Sequence, residues 1–171
     1  INHFLSQMVK NNIKYCFMEV SSHGISQGRI NGLNFAGGVF TNLTHDHLDF
    51  HKSFKNYRDI KKQFFDLLPK NAFSLVSIDD KNASFMLQNT VSNKSTFGIQ
   101  NYAKFSLKVL ESNFDGMLLG IDNHEVWTSL LGQFNASNLL AVYGVSVLLG
   151  LKKMEILREI SLLKNVPGRF Q

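Results

Sequence analysis

"GGVFTNLTHDHLDFH", residues 37–51, begins as an apolar, strand-forming run and then breaks into three histidines and two aspartates within seven positions. An apolar run without alternation is the mark of a strand covered on both faces, as in a parallel sheet. Toward the C-terminus, "SFKNYRDIKKQFFDLL" (53–68) sets Phe54, Tyr57, Ile60, Phe64, Leu67 and Leu68 at helical spacing, with Ser53 as N-cap and Pro69 past the end. "AFSLVSI" (72–78) then reads as a second buried strand, stopped by "DDKN". Toward the N-terminus, "KYCFMEV" (14–20) reads as a further buried strand. A helix over 2–11 precedes it, with Phe4, Leu5, Met8 and Val9 on one face and Asn11–Asn12 at its close. Helix and strand alternate, which predicts an α/β domain with a mostly parallel sheet flanked by helices.

From Ser95 the texture changes. "STFGI" (95–99), "AKFSLKVLES" (103–112), "GMLLGID" (116–122) and "EVWTSLL" (125–131) are short strand candidates separated by the turn signals "NFDG" and "DNHE", and predict a small antiparallel meander at about 95–131. "FNASNLLAVYGVSVLLG" predicts an apolar helix over 135–149 capped by Gly150, and "MEILREISLLK" (154–164) an amphipathic one. "NVPGRFQ" closes the chain as a turn. No repeat, low-complexity tract or linker interrupts residues 1–171, which read as a single domain.

Composition agrees. The chain has 171 residues, 44% of them hydrophobic, with 2 Pro and 12 Gly, enough to bury a core and unlike a disordered segment. Apolar runs fall short of the roughly 18 residues of a membrane span, and no signal-peptide pattern opens the chain, so a soluble, cytoplasmic protein is expected. The single cysteine, Cys16, excludes an intramolecular disulfide, and its apolar company predicts a buried thiol. Net charge is +5, but the lysines are scattered without a basic stripe, which argues against nucleic acid.

Four places carry candidate chemistry. In "FMEVSSHGISQGR" (17–29) a carboxylate, Glu19, sits inside an apolar run just before Ser21, Ser22 and His23, with Gln27 and Arg29 beyond. Ligands of open α/β sheets bind at the carboxyl ends of the strands, although a solvated strand end with serine caps would read the same. In "THDHLDFH" the series H-x-H-x-D-x-H is one residue longer than the H-x-H-x-D-H of binuclear zinc hydrolases and turns His51 away. A hard divalent cation at one or two of His45, Asp46, His47, Asp49 and His51 suits the mixed donors better, and a merely polar loop is the alternative. Lys61, one turn after Tyr57 and next to Lys62, is by spacing alone a solvated helix charge. Asn135 and Asn138 share a face at a helix start, where amides either cap or read a ligand. No G-x-x-x-x-G-K-[ST] loop occurs, so these residues hold no such phosphate cradle.

Taken together, "MEVSSHGISQGRINGLNFAGGVFTNLTHDHLDFHKSFKNYRDIKKQFF" (18–65), "GQFNASNLLA" (132–141) and "VPGRF" (166–170) resemble the central, ATP-binding domain of the Mur ligases of peptidoglycan synthesis. The resemblance is best to the members that add the third peptide residue to UDP-N-acetylmuramoyl-L-alanyl-D-glutamate, and is weak in the meander. It implies a P-loop-like central domain of a three-domain, monomeric enzyme, with the phosphate loop expected before Ile1 and the amino-acid-selecting domain after Gln171. The cofactors it implies are ATP and Mg²⁺. The partners are the UDP-muramoyl dipeptide and an amino acid, diaminopimelate or lysine.

Residue by residue, the resemblance makes Glu19 and His47 Mg²⁺ ligands. It makes Lys61 a lysine that is carbamylated, converting a cation into a carboxylate-like anion able to hold metal. Ser21, Gln27 and Arg29 become substrate contacts, and Asn42, Asn135, Asn138 and Arg169 lie at the nucleotide. The implied reaction transfers phosphate from ATP to the D-glutamate carboxylate, giving an acyl phosphate that the incoming amine attacks. Another Mur ligase or a folylpolyglutamate synthase-like ligase is the same-fold alternative. A metal-dependent hydrolase and a non-catalytic binding module are the alternatives of other classes.

Overall fold

The computed structural model describes residues 1–44 and 53–164. One six-stranded sheet runs through them in chain order: β1 (Gly37–Phe40), β2 (Phe73–Ser77), β3 (Asn93–Gly98), β4 (Phe105–Asn113), β5 (Gly116–Ile121) and β6 (His124–Thr128). β1 to β4 are parallel neighbours, and β4, β5 and β6 are antiparallel. The expected α/β class holds, and so does the meander. Its first expected strand instead pairs in parallel with β2, because residues 93–97 extend the β2 ladder from Phe73 to Ser77. β3 and β4 share only the pairs Phe97–Phe105 and Gly98–Ser106, so a short connection suffices to return the chain.

The helices are α1 (Asn2–Lys10), α2 (Ser22–Ser26), α3 (Phe54–Asp66), α4 (Ala83–Leu87), α5 (Gln133–Leu148) and α6 (Lys153–Leu162). Strand residues alternate between two cores. Leu75 points into a cluster with Phe97, Leu107, Leu119, Leu140, Tyr143 and Ile160, under α5 and α6. Its neighbour Val76 points into the opposite cluster with Phe40, Phe64, Phe65, Leu68 and Met86, under α3 and α4. Helices therefore cover both faces, as a near-continuous apolar strand requires.

The helix ends follow the local chemistry. Ser53 Oγ accepts from Asn56 N at 3.1 Å, capping α3 as its position suggested. At the end of α5, Gly150 takes φ 86° while Gly150 N donates to Val147 O and Leu151 N to Ser146 O, the paired bonds of a Schellman stop. Asn12, at φ 54°, closes α1 the same way, with Ile13 N donating to Met8 O. Gly38 lets α3 approach β1, since a Cβ there would lie 2.7 Å from Phe64 and 3.0 Å from Leu68.

Two expectations fail at the N-terminal side. Residues 14–20 form no ladder and residues 14–19 are exposed, including Cys16. An apolar run becomes a buried strand only when a neighbour takes its amides and a second layer covers its side chains. No described element does either: β1 pairs only with β2, and Val39 on β1 remains 41% exposed. The same lack of cover leaves α1 without a buried residue. The first strand of the opening stretch is also shorter than 37–43, with its ladder ending at Phe40.

Candidate functional site

The candidate residues Glu19, Ser21, Gln27, Arg29 and Lys61 lie on α3 and on the segments that flank α2, and α2 packs against α3. Glu19 is the next-to-last residue of the unpaired apolar run, exposed, three residues before α2 begins at Ser22. Ser21 is the N-cap of α2, its Oγ accepting from Gly24 N at 3.1 Å, so its capping role is realised. Gly24 keeps this turn tight: a Cβ there would lie 3.3 Å from Ser21 Oγ and 4.0 Å from Arg29 Cδ, which puts Ser21 and Arg29 on one side of it. Gln27 and Arg29 are exposed past the helix, with Gly28 in the left-handed region at φ 66° between them.

α3 separates the two lysines that spacing alone could not. Lys62 is buried, only 7% exposed, and donates to Asp66 Oδ1 and Gln88 O, each at 2.5 Å. Lys61 lies half-buried with its Nζ 5.8 Å from the centre of the Tyr57 ring. Burial pushes the Lys61 ammonium below the usual lysine range, and the Glu19 carboxylate pulls it partly back. Two groups 42 positions apart in the chain are therefore close enough to act on each other electrostatically. Burial that disfavours the ammonium form suits carbamate formation, since CO₂ adds only to a free amine, and a carboxylate within electrostatic reach suits a hard cation, since oxygen donors favour Mg²⁺.

Beyond β1 the chain turns through Thr41, Asn42, Leu43 and Thr44. Leu43 is buried and Asn42 exposed. Leu43 N donates to Asp80 Oδ2 at 2.7 Å, from the end of β2. Its neighbour Asp79 reaches the other way and accepts from Ile99 N at 2.7 Å and Asn101 N at 3.1 Å, past the end of β3. The pair laces three strand ends together. Sequence reading treated "DDKN" only as a strand stop; two carboxylates at the carboxyl end of a parallel strand were the signal available.

Asn135 and Asn138 stand in the first turns of α5, on the opposite side of the sheet from α3. Asn135 Nδ2 donates to Leu131 O at 2.7 Å, which ties the approach to the helix, while Asn138 is exposed. The structure does not bring them to the Glu19–Lys61 pair. His45, Asp46, His47, Asp49, His51 and Arg169 lie outside the described residues. Among the described residues no group of three His, Cys, Asp or Glu side chains could hold a metal, and no helix is long and apolar enough to cross a membrane.

A mostly parallel sheet covered by helices on both faces defines an α/β domain. Comparison with known proteins makes this particular: the family model of the Mur ligase middle domain matches residues 1–146, and the chain belongs to that family. It is 55% identical over 170 residues to "UDP-N-acetylmuramoyl-L-alanyl-D-glutamate--2,6-diaminopimelate ligase" of Bacteroides thetaiotaomicron, covering 99% of this chain and 35% of the relative. The protein of the same name from Cytophaga hutchinsonii is 46% identical over 171 residues, again with 35% of it covered. The chain thus spans about a third of the length of these relatives. A solved structure of a ligase of that name superposes with a TM-score of 0.80 at 27% identity, over 90% of this chain and 33% of that one. A MurF ligase from Thermotoga maritima in complex with ADP shares the fold, with a TM-score of 0.70 at 19% identity over 88% of this chain and 35% of that one.

Proposed function

We propose that the chain is the central domain of an ATP-dependent amide ligase, cut from a longer enzyme. In this reading the enzyme joins an amino acid, diaminopimelate by analogy with the relatives' names, to UDP-N-acetylmuramoyl-L-alanyl-D-glutamate in the cytoplasm. The observation that carries the proposal is the match of residues 1–146 to the Mur ligase middle domain, on a fold that brings the Glu19 carboxylate within electrostatic reach of the half-buried Lys61. Family membership and the shared name of the relatives reported above support it.

In this reading Glu19, His47 and carbamylated Lys61 would hold Mg²⁺, whose chemistry when bound is to offset charge on transferring phosphate. The chain's own residues divide the remaining work. Burial of Lys61 disfavours its ammonium form, and the amine lies 5.8 Å from the centre of the Tyr57 ring. Arg29, exposed beside the Ser21 cap, offers a planar donor pair to the anionic acceptor, with Gln27 next to it. Asn42, Asn135, Asn138 and Arg169 would contact the nucleotide. Because the chain contains no G-x-x-x-x-G-K-[ST] loop, the 171 residues alone are expected to form no amide.

The test is ligation by the full-length natural protein carrying this chain, supplied with ATP, Mg²⁺, the muramoyl dipeptide and diaminopimelate or lysine. Amide product with release of ADP is expected. Lys61→Ala lowers kcat by about 10²-fold or more, the scale of losing one preorganised electrostatic group, and added bicarbonate gives no rescue. Near-normal turnover by Lys61→Ala would sink the carbamate role.

A further inference from the structure

We propose that Asp80 is a positioning residue: its carboxylate holds the backbone at Leu43, and so presents the Asn42 amide to a magnesium-bound nucleoside diphosphate that Asp80 itself does not touch. This rests on the ligase reading only in taking Asn42 as a nucleotide-side residue. The β1 ladder ends at Phe40, so the Leu43 amide has no strand to pair with. Asp80 Oδ2 meets it at 2.7 Å, across 37 positions of chain. The carboxylate is in turn held by the buried Asn82, with Oδ1 accepting from its backbone N at 2.7 Å and its Nδ2 at 2.9 Å. The Leu43 side chain is anchored in the core under α3. Leu43 is thus pinned at backbone and side chain, and the exposed Asn42 beside it has little freedom to turn away.

Asp80 makes no ion pair among the described residues. Only an acceptor on both oxygens satisfies this arrangement, since Leu43 N, Asn82 N and Asn82 Nδ2 all donate to the carboxylate. Asparagine can satisfy Leu43 or Asn82 but not both. Asp79 is the internal control, because it makes the same kind of backbone bonds but directs them to Ile99 and Asn101, away from Asn42.

The experiment is calorimetric titration of the full-length natural protein with ADP and Mg²⁺, beside thermal melts. Asp80→Asn is expected to weaken Mg-ADP binding about tenfold, the lower range for residues that orient a site's ligands. Asp80→Glu recovers part of that loss, and takes its place in the comparison if Asp80→Asn does not fold. Asp79→Asn melts lower but binds within about twofold of wild type, and Asp80→Asn adds less than about twofold on an Asn42→Ala background, as groups acting in series should.

Unchanged binding by Asp80→Asn, equal losses in both aspartate variants, or full additivity with Asn42→Ala overturns the proposal. Ligation is read separately. A wild type whose Mg-ADP binding depends on Asp80 but which forms no amide refutes the ligase reading and leaves Asp80 its role; ligation with Asp80→Asn binding normally does the reverse. A wild type that binds no Mg-ADP overturns both.

Discussion

Tyr143 shows how one side chain can tie three elements together. It is buried in α5, and its hydroxyl donates at 2.7 Å to Asp122 Oδ2, in the two-residue turn between β5 and β6. Lys153, at the start of α6, pairs with the same oxygen. Asp122 and Asn123 take φ 52° and 63°, the turn that matches the twist of a hairpin. The Lys153 bond first, and then that of Tyr143, holds the Asp122 carboxyl below its ordinary range. A depressed carboxyl contributes stability above its unfolded value, near 3.9, and loses it as pH falls toward its folded value. Asp122→Asn should therefore lower the melting temperature at neutral pH, with the gap closing in acid. Burial, then the bond to Asp122, pushes Tyr143 well above its ordinary value. Its contribution fades as pH climbs past about 10, where the unfolded phenol ionises. Tyr143→Phe should cost about 1 kcal/mol by melts at neutral pH. "DNHE" was legible as a turn, whereas the bond to Tyr143 was not, because hydropathy marks a tyrosine as core and says nothing of where its hydroxyl ends. Lys61 and Lys62 teach the same lesson: only packing shows which of the two is locked.

At the scale of the element, α3 was the best-read piece. Ser53, the spacing from Phe54 to Leu68 and the stop at Pro69 are all local signals, and local signals survive folding. Gly38 shows the part that spacing does not reveal, since its want of a side chain matters only once Phe64 and Leu68 lie against it. Gly38→Ala should overpack that contact and cost about 1–3 kcal/mol in denaturant unfolding, with α3 losing amide protection before β4–β6 do. The run 14–20 failed for the opposite reason. Its composition specified a buried strand, but burial is conferred by neighbours, and none of the described elements provides it. The short helices α2 and α4 were missed because five residues hold too little periodicity to stand out.

For the whole molecule, Phe4, Val9, Ile13, Tyr15, Phe17 and Val39 leave apolar surface open, and no described strand pairs with the outer edge of β1. Single exposed apolar residues are ordinary, but several beside an open sheet edge invite association. The 171-residue chain expressed alone should bind an apolar dye such as ANS and elute above 19.4 kDa by light scattering. Phe4→Ser with Phe17→Ser should lessen both; a dye-silent monomer would refute the expectation. The α/β class was legible here because alternation of elements is written along the chain, while the sheet's edge is a matter of pairing. That pairing has a kinetic meaning as well. Among the described residues each strand from β2 on lies beside the one made before it, so each addition closes only the loop between consecutive strands and costs little chain entropy. The sheet can grow in the order of synthesis, from β1 to β6, as the chain leaves the ribosome.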